Sequence, residues 1–234
     1  TDAHLSGANL SGADLSGADL TNATLSSVKS GGITGTPSHL PTNWQLIDGY
    51  LIGPGANLGF ATLSGVDLTG ADLTGADLTG VHLSGATLTG AHLTGAYLGG
   101  ATLDGVKSGS ITVTGTPPTL PADWQLIDGY LIGPGANLKH ANLLAANLQG
   151  ANLSSADLTE ATLAFVQSGN TITDVNTTLP ADWKLINGYL IGPGANLTGA
   201  DLTGADLTGV DLTRANLFNV KLGGANLSNA TLLN

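Results

Sequence analysis

The chain has 234 residues, with 17 acidic against 6 basic side chains, no cysteine and a formal net charge of −11. This balance argues against nucleic-acid binding by counterion release and against attraction to an anionic membrane, because both need clustered Lys and Arg. The absence of cysteine excludes disulfides and thiolate metal sites. No apolar stretch approaches the length of a membrane span and no signal peptide is visible, so we expect a protein without membrane contact, with a bacterial cytoplasmic setting favoured.

A five-residue repeat begins at the start of the chain. Leucine recurs every fifth residue in four blocks, which together hold 29 repeats: Leu5–Leu25, Leu58–Leu103, Leu138–Leu163 and Leu197–Leu232. With leucine as position i, position i−2 is Ala or Val and position i−1 is usually Asp, Asn, Thr or His. Position i+1 is mostly Ser or Thr, and position i+2 is usually Gly.

A period of five fits neither regular element. Leucines five apart would spread around an α-helix and would alternate between the two faces of a strand. A chain that turns once per repeat can instead direct i−2 and i inward on every side, so that four repeats close a coil of about 20 residues. This arrangement predicts a solenoid core that includes Leu58, Leu63, Leu68, Leu73, Leu78, Leu83, Ala71 and Ala76.

The motif Ala-Asp/Asn-Leu-Ser/Thr-Gly resembles the pentapeptide repeat. The resemblance implies an all-β fold, a right-handed quadrilateral parallel β-helix, and we expect one continuous domain over residues 1–234. The family contains acidic rods that mimic duplex DNA, modulate type II topoisomerases and dimerise end to end. This chain shares their repeat and the sign of their charge, but it departs from them in its Trp-bearing insertions and neutral Ser/Thr/Gly faces.

Three related insertions interrupt the repeats, and they hold all nine prolines and all three tryptophans of the chain. We expect loops at about 36–45, 114–125 and 174–184. In the favoured interpretation the repeat frame continues around each loop, with Leu46 and Leu51 at i−2 and Asp48 and Gly53 at i. The alternative makes Asp48-Gly49 and its copies type I′ turns of small hairpins. On the favoured repeat count, loops one and three share a side and loop two lies opposite. We expect loop anchoring by the aromatic residues Trp44, Trp124, Trp183, Tyr50, Tyr130 and Tyr189.

Candidate chemistry is sparse. The histidines have no metal-ligand spacing, and Gly53-Pro54-Gly55 lacks the Lys-Ser/Thr of a phosphate loop, so it is interpreted as a re-entry turn. The Asp-Trp pairs of the insertions could stack on carbohydrate, but a loop anchor is favoured. We therefore expect no catalytic residues, no metal and no cofactor.

The leading hypothesis is a non-enzymatic structural or protein-interaction scaffold with an unidentified protein partner. The alternative is an acidic DNA mimic that binds and modulates a type II topoisomerase such as gyrase. Ice binding and enzyme activity rank below both. The uncapped ends of the repeat suggest either a fragment of a longer protein or an end-to-end homodimer.

Overall fold

A computed structural model describes residues 2–233. The chain divides into two compact units, Thr1–Ala122 and Asp123–Asn234. Both units are all-β, and no helix occurs among the described residues. The prediction of one continuous domain over 1–234 stays a prediction.

Within each unit the repeats form a β-helix solenoid whose neighbouring coils are joined by single-residue parallel β-bridges. Within the uninterrupted blocks each bridge connects i−1 positions that are 20 residues apart, as in the series Thr62, His82 and Thr102, and across an insertion the separation is longer, as between Gln167 and Asn196. The Leu58 amide donates to the Asp77 carbonyl at 2.8 Å, and the Asp77 amide donates to the Ala56 carbonyl at 2.9 Å. The backbone groups of one coil are therefore satisfied by the next coil, and one turn of the solenoid takes four repeats.

Each repeat ends in a β-turn that carries the chain to the next side of the coil. In the repeat of Leu58, the Ala61 amide donates to the Leu58 carbonyl at 3.0 Å. Position i+2 has positive φ in repeat after repeat, for example +71° at Gly65. The glycine preference at i+2 follows from this left-handed conformation, which costs other L residues about 1 kcal/mol.

The inward positions form the core. The predicted core leucines Leu58, Leu63, Leu68, Leu73, Leu78 and Leu83, with Ala71 and Ala76, are all buried. Since Ala and Leu alternate with outward residues on every side, the apolar surface lies in the lumen and the Ser, Thr, Asp and Asn side chains lie outside.

The inserted segments contain the only extended strands among the described residues, and these pair as three antiparallel hairpins. They are β1 Gln45–Ile47 with β2 Tyr50–Ile52, β3 Gln125–Ile127 with β4 Tyr130–Ile132, and β5 Lys184–Ile186 with β6 Tyr189–Ile191. Asp48 and Gly49 have φ of +49° and +75°. Positive φ at both central residues of a two-residue loop defines the type I′ turn.

The favoured interpretation of the insertions is therefore wrong at Leu46 and Asp48, which lie in the first hairpin, and the hairpin alternative is confirmed. One physical reason is polarity: position i points into the lumen, where the carboxylate of Asp48 or the amide of Asn187 would be costly, whereas the hairpin turn exposes both side chains. A second reason is that Asp-Gly and Asn-Gly both favour the type I′ turn. The loop bounds change too, since His39 still bridges Asp19 in the ladder and Gln45 already belongs to β1.

The third hairpin forms an apolar layer between coils of the second unit. In the third hairpin Leu190 belongs to the core cluster of residues 132–166, while its neighbour Ile191 belongs to the cluster of residues 195–212. Trp183 packs against both clusters. Successive residues of a strand point to opposite faces, so this strand covers one core with Leu190 and the other with Ile191.

Two hairpins of the second unit enter the coil on opposite sides. The second hairpin ends five residues before Asn137 and the third ends five residues before Asn196. Asn196 bridges Gln167, which in turn bridges Asn147, two repeats beyond Asn137. Two of four repeats make half a turn, which agrees with the repeat count for loops two and three.

Candidate interaction surface

The aromatic residues of the insertions contact glycines and backbone amides of their own unit. The indole of Trp44 covers Gly53 so closely that an added Cβ would overlap it, and Trp124 on Gly133 and Trp183 on Gly192 repeat this packing. The Tyr50 ring lies on Gly31, and its hydroxyl accepts a hydrogen bond from the Thr62 amide at 3.2 Å.

The tyrosines of the second and third insertions accept a backbone hydrogen bond in the same way as Tyr50. The hydroxyl of Tyr130 accepts from the Asn142 amide at 3.0 Å, and that of Tyr189 accepts from the Asp201 amide at 3.3 Å. In the first and third insertions a buried serine accepts a hydrogen bond from a strand amide. The Leu51 amide donates to Ser30 Oγ at 2.9 Å, and the Leu190 amide donates to Ser168 Oγ at 2.9 Å.

Shallow polar clefts lie beside two of the tyrosines. The cleft beside Tyr50 has a volume of about 290 Å³, and the cleft beside Tyr189 about 220 Å³. They are lined by corresponding residues, such as Asn57 and Asn196. A hairpin of two three-residue strands is too short to fill a whole layer of the coil, so we attribute these gaps to the insertion itself.

The outward aspartates form local turns. In the repeat of Asp67, Oδ1 accepts from the amide of Thr69 at 2.9 Å and from its hydroxyl at 2.5 Å. The hydroxyl and amide of the i+1 residue lower the pKa of several of these carboxyls, since they bond to the charged form. The members of this set are Asp14, Asp19, Asp67, Asp157, Asp201, Asp206 and Asp211.

Asp174, in the third insertion, has its pKa lowered most clearly, to about 2. Its carboxylate accepts from the Ser155 hydroxyl at 2.7 Å and from the Ser155 amide at 2.8 Å. These contacts tie the inserted segment to the preceding coil.

Along the ladders of the described residues, no aspartate bridges another aspartate. Asp19 faces His39, Asp67 faces Thr87 and Asp201 faces Lys221, whose Nζ lies 3.2 Å from the Asp201 carboxylate. Like charges on neighbouring strands repel, and this register avoids such pairs. The acidic charge is therefore dispersed within each unit.

The chain's three phenylalanines all lie at exposed turn positions. Phe60 is 76% exposed, Phe165 54% and Phe218 67%. Phe60 and Phe165 occupy i+2 with φ of +60°, a position where the repeat otherwise prefers glycine. Phe60 and Phe165 therefore carry backbone strain without the return of core burial.

In the second unit one corner of the coil is apolar over successive turns. We name it the corner strip and define it as Leu144, Ala164, Phe165, Pro193 and Arg214. The turns are in register, because backbone hydrogen bonds join each turn to the next. The Ala145 amide donates to the Ala164 carbonyl, the Phe165 amide to the Gly194 carbonyl, and the Gly194 amide to the Thr213 carbonyl. At the corresponding corners elsewhere the repeat places mainly Ser, Thr and Gly.

A groove of about 430 Å³ runs along this strip, lined by Ala164, Phe165, Pro193, Gly194, Thr213 and Arg214. Arg214 is the only arginine of the chain and is exposed at φ +59°. Among residues 2–233, no side-chain carboxylate lies within ion-pair distance of the Arg214 guanidinium.

Sequence reasoning missed these surface residues. The signal was present, since Phe60, Phe165 and Arg214 replace the glycine expected at i+2. The histidines, which were considered, lie apart along the ladders, and in the described part of the chain no group of His, Asp and Glu could hold a metal ion. No helix long and apolar enough to cross a bilayer occurs between residues 2 and 233.

The fold and repeat define a β-helical solenoid protein built from five-residue units. The model of the family described as pentapeptide repeats matches the chain in 8 copies, over residues 1–29, 55–90, 71–107, 135–167 and 195–232. These ranges cover more than half of the chain, which therefore belongs to the pentapeptide-repeat family.

Solved structures of pentapeptide-repeat proteins are similar to it. HetL, from the cyanobacterium Nostoc sp. strain PCC 7120, is 26% identical with a TM-score of 0.34, over 98% of this chain and 87% of HetL. Rfr23, from the cyanobacterium Cyanothece 51142, is 21% identical with a TM-score of 0.21, over 73% of this chain and 90% of Rfr23.

A third structure is QnrB1, a plasmid-mediated fluoroquinolone resistance protein, with 18% identity and a TM-score of 0.22 over 97% of this chain and 85% of QnrB1. TM-scores this low carry no argument about function. No curated protein matches the chain.

Proposed function

We propose that the protein is a non-enzymatic scaffold that binds other proteins through side chains on the corners of its coils. The observation that carries this proposal is the placement of all three phenylalanines at exposed turns. Aromatic side chains are enriched in the buried centres of protein interfaces. Phe60 and Phe165 also sit where glycine would relieve strain, so folding alone favours their replacement.

We further propose that the coils wind right-handedly with a four-sided cross-section, as the family resemblance implies. The 20-residue register of the bridges, with four turns per coil, supports this geometry. The tryptophans and tyrosines of the insertions then serve as anchors that keep each hairpin layer in place, through the glycine and amide contacts of Trp44 and Tyr50 and their copies.

Affinity capture from the source lysate tests the scaffold function. The immobilised wild-type chain is compared with a triple variant, Phe60→Gly, Phe165→Gly and Phe218→Ser, which restores residue types common at these positions. We expect a bound protein to be lost from the variant while its melting temperature does not fall. Equal capture by both chains, or no captured protein, would contradict the proposal.

A DNA mimic that modulates a type II topoisomerase is the second candidate, and the net charge of −11 favours it. The dispersed aspartates weigh against it, because a mimic of duplex DNA needs regularly spaced negative charge, whereas the bridging partners of these aspartates are neutral or basic residues. A gyrase supercoiling assay separates the two candidates: inhibition at micromolar protein would favour the mimic.

A further inference from the structure

We infer that the corner strip of the second unit binds an extended peptide segment of a partner protein, with apolar residues followed by a single carboxylate. This inference rests on the proposed scaffold function and adds the chemistry of one partner. The groove along Ala164, Phe165, Pro193 and Arg214 is the binding site.

The strained conformations at this corner are the first support. Phe165 and Arg214 have φ of +60° and +59°, and Ala145 has +59°. Glycine is preferred at i+2 and would remove this strain. Phe165 and Arg214 are exposed, so their side chains return little packing energy to the fold. Other non-glycine residues share this conformation, such as Asn22 and Glu160, so this corner is distinguished by the exposed aromatic ring and the guanidinium placed there in addition to the strain.

The charge of Arg214 identifies one end of the ligand. In this acidic chain most charged neighbours of a cation are carboxylates, as with Lys221 and Asp201 at 3.2 Å. Arg214 has no such partner in the described part of the chain, and an apolar groove adjoins it. A guanidinium at the edge of an apolar surface suits a carboxylate, which it can bind with two parallel hydrogen bonds.

The net charge restricts the rest of the ligand. With a net charge of −11, the chain repels a partner that carries many acidic groups. A single carboxylate in contact with Arg214 is still attracted, because that contact is shorter than the screening length of about 8–10 Å. The ligand is therefore mainly apolar and carries one Asp or Glu.

The dimensions of the strip set the length of the ligand. Phe165, Pro193 and Arg214 line the groove on three successive turns of the coil, and the exposed Leu144 extends the strip by one turn beyond it. Neighbouring β-chains are ~4.8 Å apart, so the strip is roughly 14 Å long. An extended peptide rises about 3.3 Å per residue, so about five residues span it, with alternate side chains facing the groove.

An amide NMR titration with two capped pentapeptides tests the inference. One peptide reads Leu-Ser-Leu-Ser-Asp, which places both leucines and the aspartate on one side, and the other ends in Asn. We expect shifts at Phe165, Gly194 and Arg214, with binding of the Asp peptide about threefold to tenfold tighter than that of the Asn peptide. Arg214→Gln should make the two affinities equal.

Phe165→Gly provides the second variant, because it removes the aromatic wall while relieving the positive φ. We expect at least about threefold weaker binding of both peptides without a lower melting temperature. Phe60→Gly, the matched change in the other unit, should leave binding unchanged.

Equal affinity for the two peptides in the wild type, shifts away from the strip, or no shift at about 5 mM peptide would overturn the inference. Concentration-dependent shifts of the strip without peptide would also overturn it, since a second copy of the chain would then be the occupant. In each case the scaffold function stands if capture still depends on Phe60 or Phe218.

Discussion

The tryptophan–glycine contact of each hairpin makes a sharp prediction about stability. At Gly53 an added methyl group would overlap the indole of Trp44, and Gly53 is itself buried. Its φ is not in the left-handed region, so Gly53→Ala tests the steric contact rather than the backbone. The indole has little room to move inward because Trp44 packs against the core cluster that contains the fully buried Leu51.

Overpacking of a filled core by one methyl group costs about 1–3 kcal/mol. For a unit of this size we expect Gly53→Ala to lower the melting temperature by roughly 5–15 °C. Thermal melting followed by circular dichroism measures the loss, and tryptophan fluorescence, with only three tryptophans in the chain, reports displacement of the indole.

Gly99→Ala is the matched control. Gly99 also lies outside the left-handed region, and nothing is within 4 Å of an added Cβ. We expect its melting temperature to stay within a few degrees of the wild type. If Gly53→Ala melts like Gly99→Ala, or if Trp44 fluorescence does not change, the tryptophan does not hold the hairpin and the anchor role is refuted.

Three further predictions concern the lumen and the turns. Leu73→Ala should cost about 2–5 kcal/mol by urea denaturation, because the side chain is fully buried; an unchanged midpoint would contradict an inward leucine. Ser168→Ala should cost about 1–3 kcal/mol, since it leaves the buried Leu190 amide without its acceptor, and a variant as stable as the wild type would mean that the hydrogen bond is dispensable. Stability should fall on acidification: the pKa of Asp174 is lowered to about 2, so its contribution is complete above its unfolded pKa of about 4 and is lost as the pH falls toward 2. Melting temperatures from pH 5 to pH 2 check this, and Asp174→Asn should reduce the decline.

The repeat architecture could be predicted from the sequence because a five-residue period is compatible with only one way of burying the leucines together. Leucines such as Leu73 and Leu78 cannot share a face of a helix or a strand five residues apart, so only a chain that turns at every repeat buries them together. The hairpins were harder, because Leu46 and Leu51 satisfy both the repeat frame and a two-residue hairpin. The cost of placing a polar Asp48 or Asn187 in the lumen, together with the preference of Asp-Gly and Asn-Gly for the type I′ turn, decides between them.

The candidate site was predicted least well. A repeat pattern directs attention to positions that obey it, whereas Phe165 and Arg214 matter because they depart from it. Phe165 and Arg214 lie on one corner only because of the coil register that follows the third insertion. That register is set by the bridge between Gln167 and Asn196, which are 29 residues apart instead of 20. The hairpin accommodates the extra residues of that insertion, and the register beyond it could not be assigned without the structure.

The hairpin layer of β5 and β6 also sets where the chain can change in length. Leu190 closes the core that precedes it and Ile191 opens the core that follows, so neither core depends on leucines from the other. A segment that begins and ends at such layers could be duplicated or deleted as a whole without exposing a row of leucines to water. Growth by whole segments would leave behind repeated sequences such as the three identical copies of Gly-Tyr-Leu-Ile-Gly-Pro-Gly.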